Sequence, residues 1–398
     1  MRQGAFYTGE YRNVFRELGY GDDEIKDRIE QTFQTMFYGD EAERIYHPVG
    51  NDMAYILDTG NLDVRTEGMS YGMMMCVQLN RKAEFDRIWK WAKTYMYHDD
   101  DTLERGYFAW SCRPDGTRKS EGAAPDGEEY FTMALFFASH RWGDGEGIYN
   151  YSKEACTILR DCIHKGEQPG TGHPMWDPGT KLIKFVANCN FTDASYHLPH
   201  FYELFALWAD EADRQFWQEA ADASRAFLKK ACHPVTGLNP ELSEFDGTPL
   251  VRFRPGSYRR DLYYSDAYRT IANIAMDYAW FSQDLDHPED WRVEIADKLQ
   301  HFFCHTVRHR TDGIYELDGR ILPGKALHPV AITATNAHAS LAAKGPYWEE
   351  CARKLWDTPL RSGDRRYYDN CLYMFALLAL SGNYRIYGVG YDTMVSQG

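Results

Sequence analysis

RRYYDNCLYMFALLALSGN, running from Arg365 to Asn383, decides the fold. From Leu372 to Leu380 no residue is charged, so a helix there has no wet face and must be buried on every side. Met133 to Ala138, and Ile271 to Ala275 continued by Tyr278 to Phe281, share that all-round apolar character. Segments of the opposite kind lie between them. Ile25, Ile29 and Phe33 fall on one helical face, as do Tyr151, Ala155, Cys156, Leu159 and Cys162, and again Trp348, Cys351, Ala352 and Leu355. Helical periodicity recurs in about twelve segments. They lie near 22–38, 67–80, 83–98, 126–142, 150–165, 195–209, 213–232, 266–283, 288–305, 333–343, 346–357 and 368–381. Odd-numbered segments are amphipathic and even-numbered ones apolar nearly all round. Six enclosed helices alternating with six half-exposed ones describe two concentric rings. The expected fold is therefore all-α, an (α/α)6 barrel with short strands in the Gly/Pro-rich loops of one rim.

Low-complexity tracts and Ser/Gly linkers are absent, so the 398 residues read as one domain, 1–398. With 44 basic against 59 acidic residues the formal charge is -15 and no Lys/Arg run stands out, which argues against nucleic acid and anionic membrane as partners. Tyr373 to Leu380, eight residues, is far short of the roughly 18 that a membrane span needs. Met1 to Asn13 has neither a basic n-region nor an apolar h-region, so no secretory leader is expected. Nine cysteines without CxxC spacing suggest buried reduced thiols, and with them a cytoplasmic protein. Aromatic residues make up 15% of the chain, more than a core alone demands, and flat amphipathic rings are what a sugar-binding groove uses.

Glu67, Asp126, Asp193, Asp266 and Asp369 each fall at or just before the start of an even-numbered segment. Acidic residues favour helix starts for capping and dipole reasons alone. In a barrel with parallel inner helices, though, these five converge on one end. Glu67 stands in Thr66-Glu67-Gly68-Met69 and Asp126 in Pro125-Asp126-Gly127, where glycine leaves the carboxylate open to a ligand. Glycoside hydrolysis needs one protonated carboxyl to donate to the leaving oxygen and one ionised carboxylate to activate water or to attack. The residues alone lead to a glycosidase and leave inversion or retention open.

At these positions the chain resembles glycoside hydrolase family 8. The signature block reads APDGEEYFTMALFFASHRW, Ala124 to Trp142, with Pro125, Glu128 and Thr132 as mild departures. Further blocks agree: TEGMSYGMMM (Thr66 to Met75), DASYHLPHFYEL (Asp193 to Leu204), YSDAYR (Tyr264 to Arg269), LHP (Leu327 to Pro329) and the opening stretch. The TEGMSYGMMM and LHP segments are similar in form to those of the family's reducing-end xylose-releasing exo-oligoxylanases. The resemblance implies an inverting enzyme with no metal and no organic cofactor, acting on short β-1,4-xylo-oligosaccharides. It assigns Glu67 as general acid, Asp266 as general base, Tyr196 to the water or base, Asp126 to the distorted sugar, Arg269 to support of the base and His328 to the reducing-end hydroxyl. Ser265 stands where some family cellulases have Tyr. Trp110 and Trp176, in or beside loops, are expected to stack on sugar rings.

Within the family the alternative is an endo-acting xylanase or β-glucanase; outside it, a glycan-binding scaffold without turnover, against which the paired Glu67 and Asp266 speak. His301, His305 and His309 share a helical face but lack an HExxH glutamate, so they are taken as outer-helix histidines and not as a zinc site. A monomer is expected.

Overall fold

The computed structural model describes residues 2–251, 258–287 and 289–389. Among them twelve long helices alternate between the two kinds expected: α1 (Asp22–Tyr38), α2 (Thr66–Gln78), α3 (Lys82–Trp91), α4 (Pro125–Trp142), α5 (Tyr151–His164), α6 (Pro199–Trp208), α7 (Arg214–Ala231), α8 (Thr270–Phe281), α9 (Trp291–His301), α10 (Pro329–His338), α11 (Trp348–Asp357) and α12 (Arg366–Leu380). Every residue of α12 is buried, and so is every residue of α2 except Glu67. In α11, by contrast, Cys351, Ala352 and Leu355 are the buried residues.

The inner helices pack in sequence order, α2 on α4, α4 on α6, α6 on α8, α8 on α10 and α10 on α12, and the ring closes where α12 returns to α2. Each outer helix packs on an inner neighbour, with α1 against α12. The result is the (α/α)6 barrel. A buried charge cluster joins the rings: Asp277 of α8 accepts from Arg225 of α7 and Arg292 of α9, each at 2.7 Å, and the two guanidiniums pull its carboxyl down to about 2.

Proline sets three of the inner starts, at the first position of α4, α6 and α10, where its missing N–H costs nothing. Two inner helices begin later than the periodicity indicates. Before α6 the chain makes a 3-10 turn, Ala194–Tyr196, and then extends, because the residue preceding Pro199 cannot be helical. Before α8 comes another such turn, Ser265–Arg269, entered through Ser265 at φ 51, a left-handed value incompatible with a continuous helix. Segments 83–98 and 288–305 finish in wider π-helical turns, Ala92–Met96 and Phe302–Thr306; Pro288 itself lies outside the described residues. Helical turns Ala5–Thr8 and Val14–Glu17 are too short for periodicity to reveal.

Short antiparallel pairs dress the loops: Val64–Arg65, Ser111–Cys112 and Arg118–Ser120 in one sheet, Thr192–Asp193 with Leu242–Ser243 in another. All nine cysteines are free thiols and seven are buried. No helix among the described residues is long and apolar enough to cross a membrane.

Candidate active site

The N-terminal ends of the inner helices open into a cleft of about 550 Å³. Glu67 and Asp126 line it from the second positions of α2 and α4, Tyr196 and Asp266 from the 3-10 turns ahead of α6 and α8, and His328 from the N-cap of α10. Helix starts carry partial positive charge, so five parallel inner helices aimed at one rim favour carboxylates there.

Arg269 is the hub. Its Nη1 donates to Glu67 Oε2 at 3.0 Å, to Asp126 Oδ2 at 3.1 Å and to the Tyr71 hydroxyl at 2.7 Å, while Nη2 lies 3.5 Å from Asp266 Oδ1. Its guanidinium carbon also stands 5.5 Å from the Tyr196 ring centre. The Tyr367 hydroxyl donates to Glu67 Oε1 at 2.7 Å. Burial, reinforced by the neighbouring Asp266 and Asp126 charges and opposed by Arg269, pushes the Glu67 carboxyl up to about 7. Asp126 is raised for the same main reason, burial. Asp266 is the most open of the three carboxylates, its side chain 25% exposed against 12% for Glu67 and 8% for Asp126. A carboxyl that keeps its proton near neutrality, facing the same space as a more solvated carboxylate, has the equipment for acid–base cleavage of a glycosidic bond.

The remaining expected residues divide. Trp110 lines the cleft, half-buried, with the Arg65 guanidinium 5.3 Å from its ring centre. Trp176 does not reach the cleft: it is 1% exposed and packs edge-on against Trp217 at 5.0 Å and Tyr202 at 5.7 Å, so the sugar-stacking expectation is corrected. Set between α6 and α7, the large apolar ring is more stable buried than wet. Asp369 also leaves the ring of cleft carboxylates. Fully buried, it accepts from the Ala331 amide at 2.6 Å, from Arg361 and from His328 Nδ1 at 3.2 Å, so it anchors the His328 loop from below.

One finer expectation changes as well, the openness at the two glycines. Gly68 and Gly127 serve helix packing rather than openness, since a Cβ on Gly68 would stand 2.7 Å from the Tyr367 hydroxyl and one on Gly127 2.4 Å from Thr66 Cβ. His328 adopts φ -131, ψ 66 and not the extended conformation usual before proline. Its imidazole is oriented instead by Asp369 and by the Tyr368 ring, 4.8 Å away.

Sequence reasoning did not single out Tyr71, Tyr367, Tyr258, Arg260 or Glu241. Tyr71 was within reach, being four residues after Glu67 and so on the same helical face. The others meet the site through tertiary structure alone. As for metal ligands, Cys304, His309 and Glu350 bring donor atoms within 4.8 Å on the outer ring, clear of the cleft, and His309 leaves the face that His301 and His305 share. At the cleft the guanidiniums of Arg260 and Arg269 stand against any cation.

A barrel of two helical rings whose open end gathers carboxylates and aromatic rings is the scaffold of a glycoside hydrolase. Residues 51–382 match the family described as Glycosyl hydrolases family 8, and the chain belongs to it. It is 56% identical over 385 residues to the reducing-end xylose-releasing exo-oligoxylanase Rex8A of Paenibacillus barcinonensis, covering 97% of this chain and 99% of that one. To a reducing end xylose-releasing exo-oligoxylanase of Halalkalibacterium halodurans it is 54% identical over 387 residues, covering 97% and 96%. The structure of Rex8A complexed with xylose matches with a TM-score of 0.92 over 97% of this chain and 100% of that chain.

Proposed function

We propose that this chain releases xylose from the reducing end of short β-1,4-xylo-oligosaccharides by hydrolysis with inversion. The observation that carries the reaction type is the contrast between Glu67, 12% exposed and pushed up to about 7, and the more open Asp266 on the other side of one guanidinium. Glu67 gives its proton to the leaving oxygen. Asp266 takes a proton from water, which attacks the anomeric carbon from the opposite face. Tyr196 holds that water, Asp126 grips the distorted sugar, Arg269 keeps the carboxylates in register and Trp110 offers a stacking platform. No metal or organic cofactor takes part. The substrate and the end that is cut are supported by the two relatives, at 56% and 54% identity, that bear this activity in their names. The LHP loop offers a physical reason: Leu327 and His328 line the cleft, and in this reading they stand where a further sugar would collide and a terminal anomeric hydroxyl would find an imidazole.

The chain works as a single-domain monomer in the cytoplasm in this reading, supported by a ring that needs both α2 and α12 to close and by nine unpaired thiols. Xylotriose labelled at its reducing end is the test. Labelled xylose with unlabelled xylobiose should form first, and proton NMR should show the new xylobiose end as the α-anomer before mutarotation. Early unlabelled xylose sinks the reducing-end reading, and an initial β-anomer sinks inversion.

A further inference from the structure

Beside Asp266 stand two more carboxylates that the mechanism above does not use. One oxygen from each of Asp193, Glu241 and Asp266 lies within 4.8 Å of the other two. Asp193 and Glu241 are 0% exposed. Their approach is fixed by the antiparallel pairing of Thr192–Asp193 with Leu242–Ser243 and by the Ala194 amide donating to the Glu241 carbonyl at 3.2 Å. Each carboxylate has one satisfied oxygen. Asp193 Oδ1 accepts from the Ser195 amide at 2.8 Å and from its hydroxyl at 2.6 Å; Glu241 Oε1 accepts from Arg260 at 2.7 Å and from the Tyr258 hydroxyl at 2.9 Å. The second oxygens, Asp193 Oδ2 and Glu241 Oε2, are buried without any hydrogen-bond partner.

Three carboxylates this close, two of them cut off from water, cannot all be ionised. The charged and titratable groups facing the buried pair are Asp266, Arg260, Arg269, Tyr258, Tyr196, Tyr264 and Tyr268. Of the two cations, Arg260 is engaged with Glu241, and Arg269 is divided among Glu67, Asp126 and Asp266. A divalent cation would meet both guanidiniums. A proton meets neither and neutralises a carboxyl that is buried with an unpartnered oxygen.

We infer that the buried Asp193 and Glu241 pair retains a proton and that both act as positioning residues behind Asp266. The inference rests on the reading of Asp266 as general base. Asp266 is the right member to carry the charge, being the most exposed and lying beside Arg269 Nη2. Burial pushes Asp193 up to about 7 and Glu241 well above the carboxylate range, in keeping with a retained proton.

The test is the shape-preserving double variant Asp193→Asn/Glu241→Gln, read in two ways. In unliganded protein at pH 6, the infrared difference between wild type and variant should contain the C=O stretch of a protonated carboxyl. In kinetics, losing the pair behind Asp266 should lower kcat several-fold with KM close to wild type, a split that a merely structural loss would not give. Absence of the band, a kcat that stays at the wild-type value in the folded variant, or a manganese site in wild type that the variant lacks, each overturns the inference. Should the double variant not fold, Glu241→Gln alone is read the same way. If Asp266→Asn keeps wild-type turnover the base assignment falls instead, and the infrared band still decides whether the proton is there.

Discussion

Arg269 Nη1 donates to Glu67 Oε2 at 3.0 Å across 202 residues of sequence, tying the 3-10 turn ahead of α8 to the first turn of α2. Asp126 from α4 closes on the same nitrogen. One cation thus holds the starts of three inner helices in register and offsets the repulsion among carboxylates that are largely withdrawn from water. Replacing Arg269 with Met leaves that charge unpaired and is expected to cost about 3–5 kcal/mol of stability. Arg269→Lys keeps the charge but not the fork, so it should lose less stability and still lose turnover. Urea midpoints and kcat for both variants check this, and a Met variant as stable as wild type contradicts it.

The Glu67 carboxyl, at about 7, must hold its proton to act as an acid. Activity should therefore fall as pH rises through about 7, approaching tenfold per unit beyond it. Glu67→Gln has no proton to transfer; its kcat should drop by about 10²–10⁴, and the alkaline limb should vanish. An aryl xyloside with a good leaving group, which needs little protonation, should recover much of the loss. A Glu67→Gln variant whose rate keeps the wild-type pH profile excludes the assignment.

Glu128, one turn below the rim, is 1% exposed, with Oε1 accepting from the Phe108 amide at 3.0 Å and Oε2 unpartnered. Burial pushes it up to about 8 from an ordinary 4.5. The folded chain therefore keeps a proton that the unfolded chain releases, so this contribution is complete below pH 4.5 and is lost as pH rises toward 8. Glu128→Gln, uncharged at every pH, should flatten the decline in stability between pH 5 and 8.5 by an amount on the order of 2–4 kcal/mol. Asp277 acts in the opposite sense, its stabilisation being lost only as pH falls from 3.8 through about 2, outside that window. Chemical denaturation at the two pH values measures the slope, and an unchanged slope in the variant refutes the buried-acid account.

The rings of the barrel were legible because burial writes itself into sequence: α12 has no polar face, while α11 keeps three buried residues on one side. The rim was legible in part. Glu67, Asp126 and Asp266 show through as acids at helix starts, yet Asp369 carries the same local signal and turns inward to the Ala331 amide. Nothing within a few residues of it separates the two fates, because they are set by contacts some 40 residues away, at His328 and Ala331. Glu241 was invisible for a similar reason. It lies in a loop without periodicity, and its meaning comes from Asp193 on the neighbouring strand.

Trp110 and Trp176 look alike in sequence and are predicted to behave oppositely. Trp176→Ala removes a ring enclosed by Trp217 and Tyr202, and should destabilise by about 3–5 kcal/mol while leaving KM of the folded fraction near wild type. Trp110→Ala should raise KM with little change in melting temperature, since its ring faces the cleft. Reversed effects would mean that the two rings have exchanged roles.

Asp369 supports the blocking loop through three contacts, the His328 imidazole, the Ala331 amide and Arg361, which in turn holds the Leu327 carbonyl. If that loop sets reducing-end action, its strength should depend on a residue that never touches sugar. His328→Ala removes the imidazole offered to the anomeric hydroxyl and should weaken cleavage of xylotriose by the order of 1–3 kcal/mol. Reducing the terminal xylose to xylitol should cost wild type a similar amount and cost the His328→Ala variant little more, because the partner is already gone. Asp369→Asn keeps the size and one acceptor oxygen but drops the charge that Arg361 and His328 share, so the loop should loosen without the barrel opening. Its expected signature is a gain in cutting of polymeric xylan at internal bonds alongside a loss on xylotriose. That combination distinguishes a freed loop from a damaged site, where both substrates would suffer. Rapid internal cutting of xylan by the wild-type protein would show that Leu327 and His328 do not bar the cleft at all.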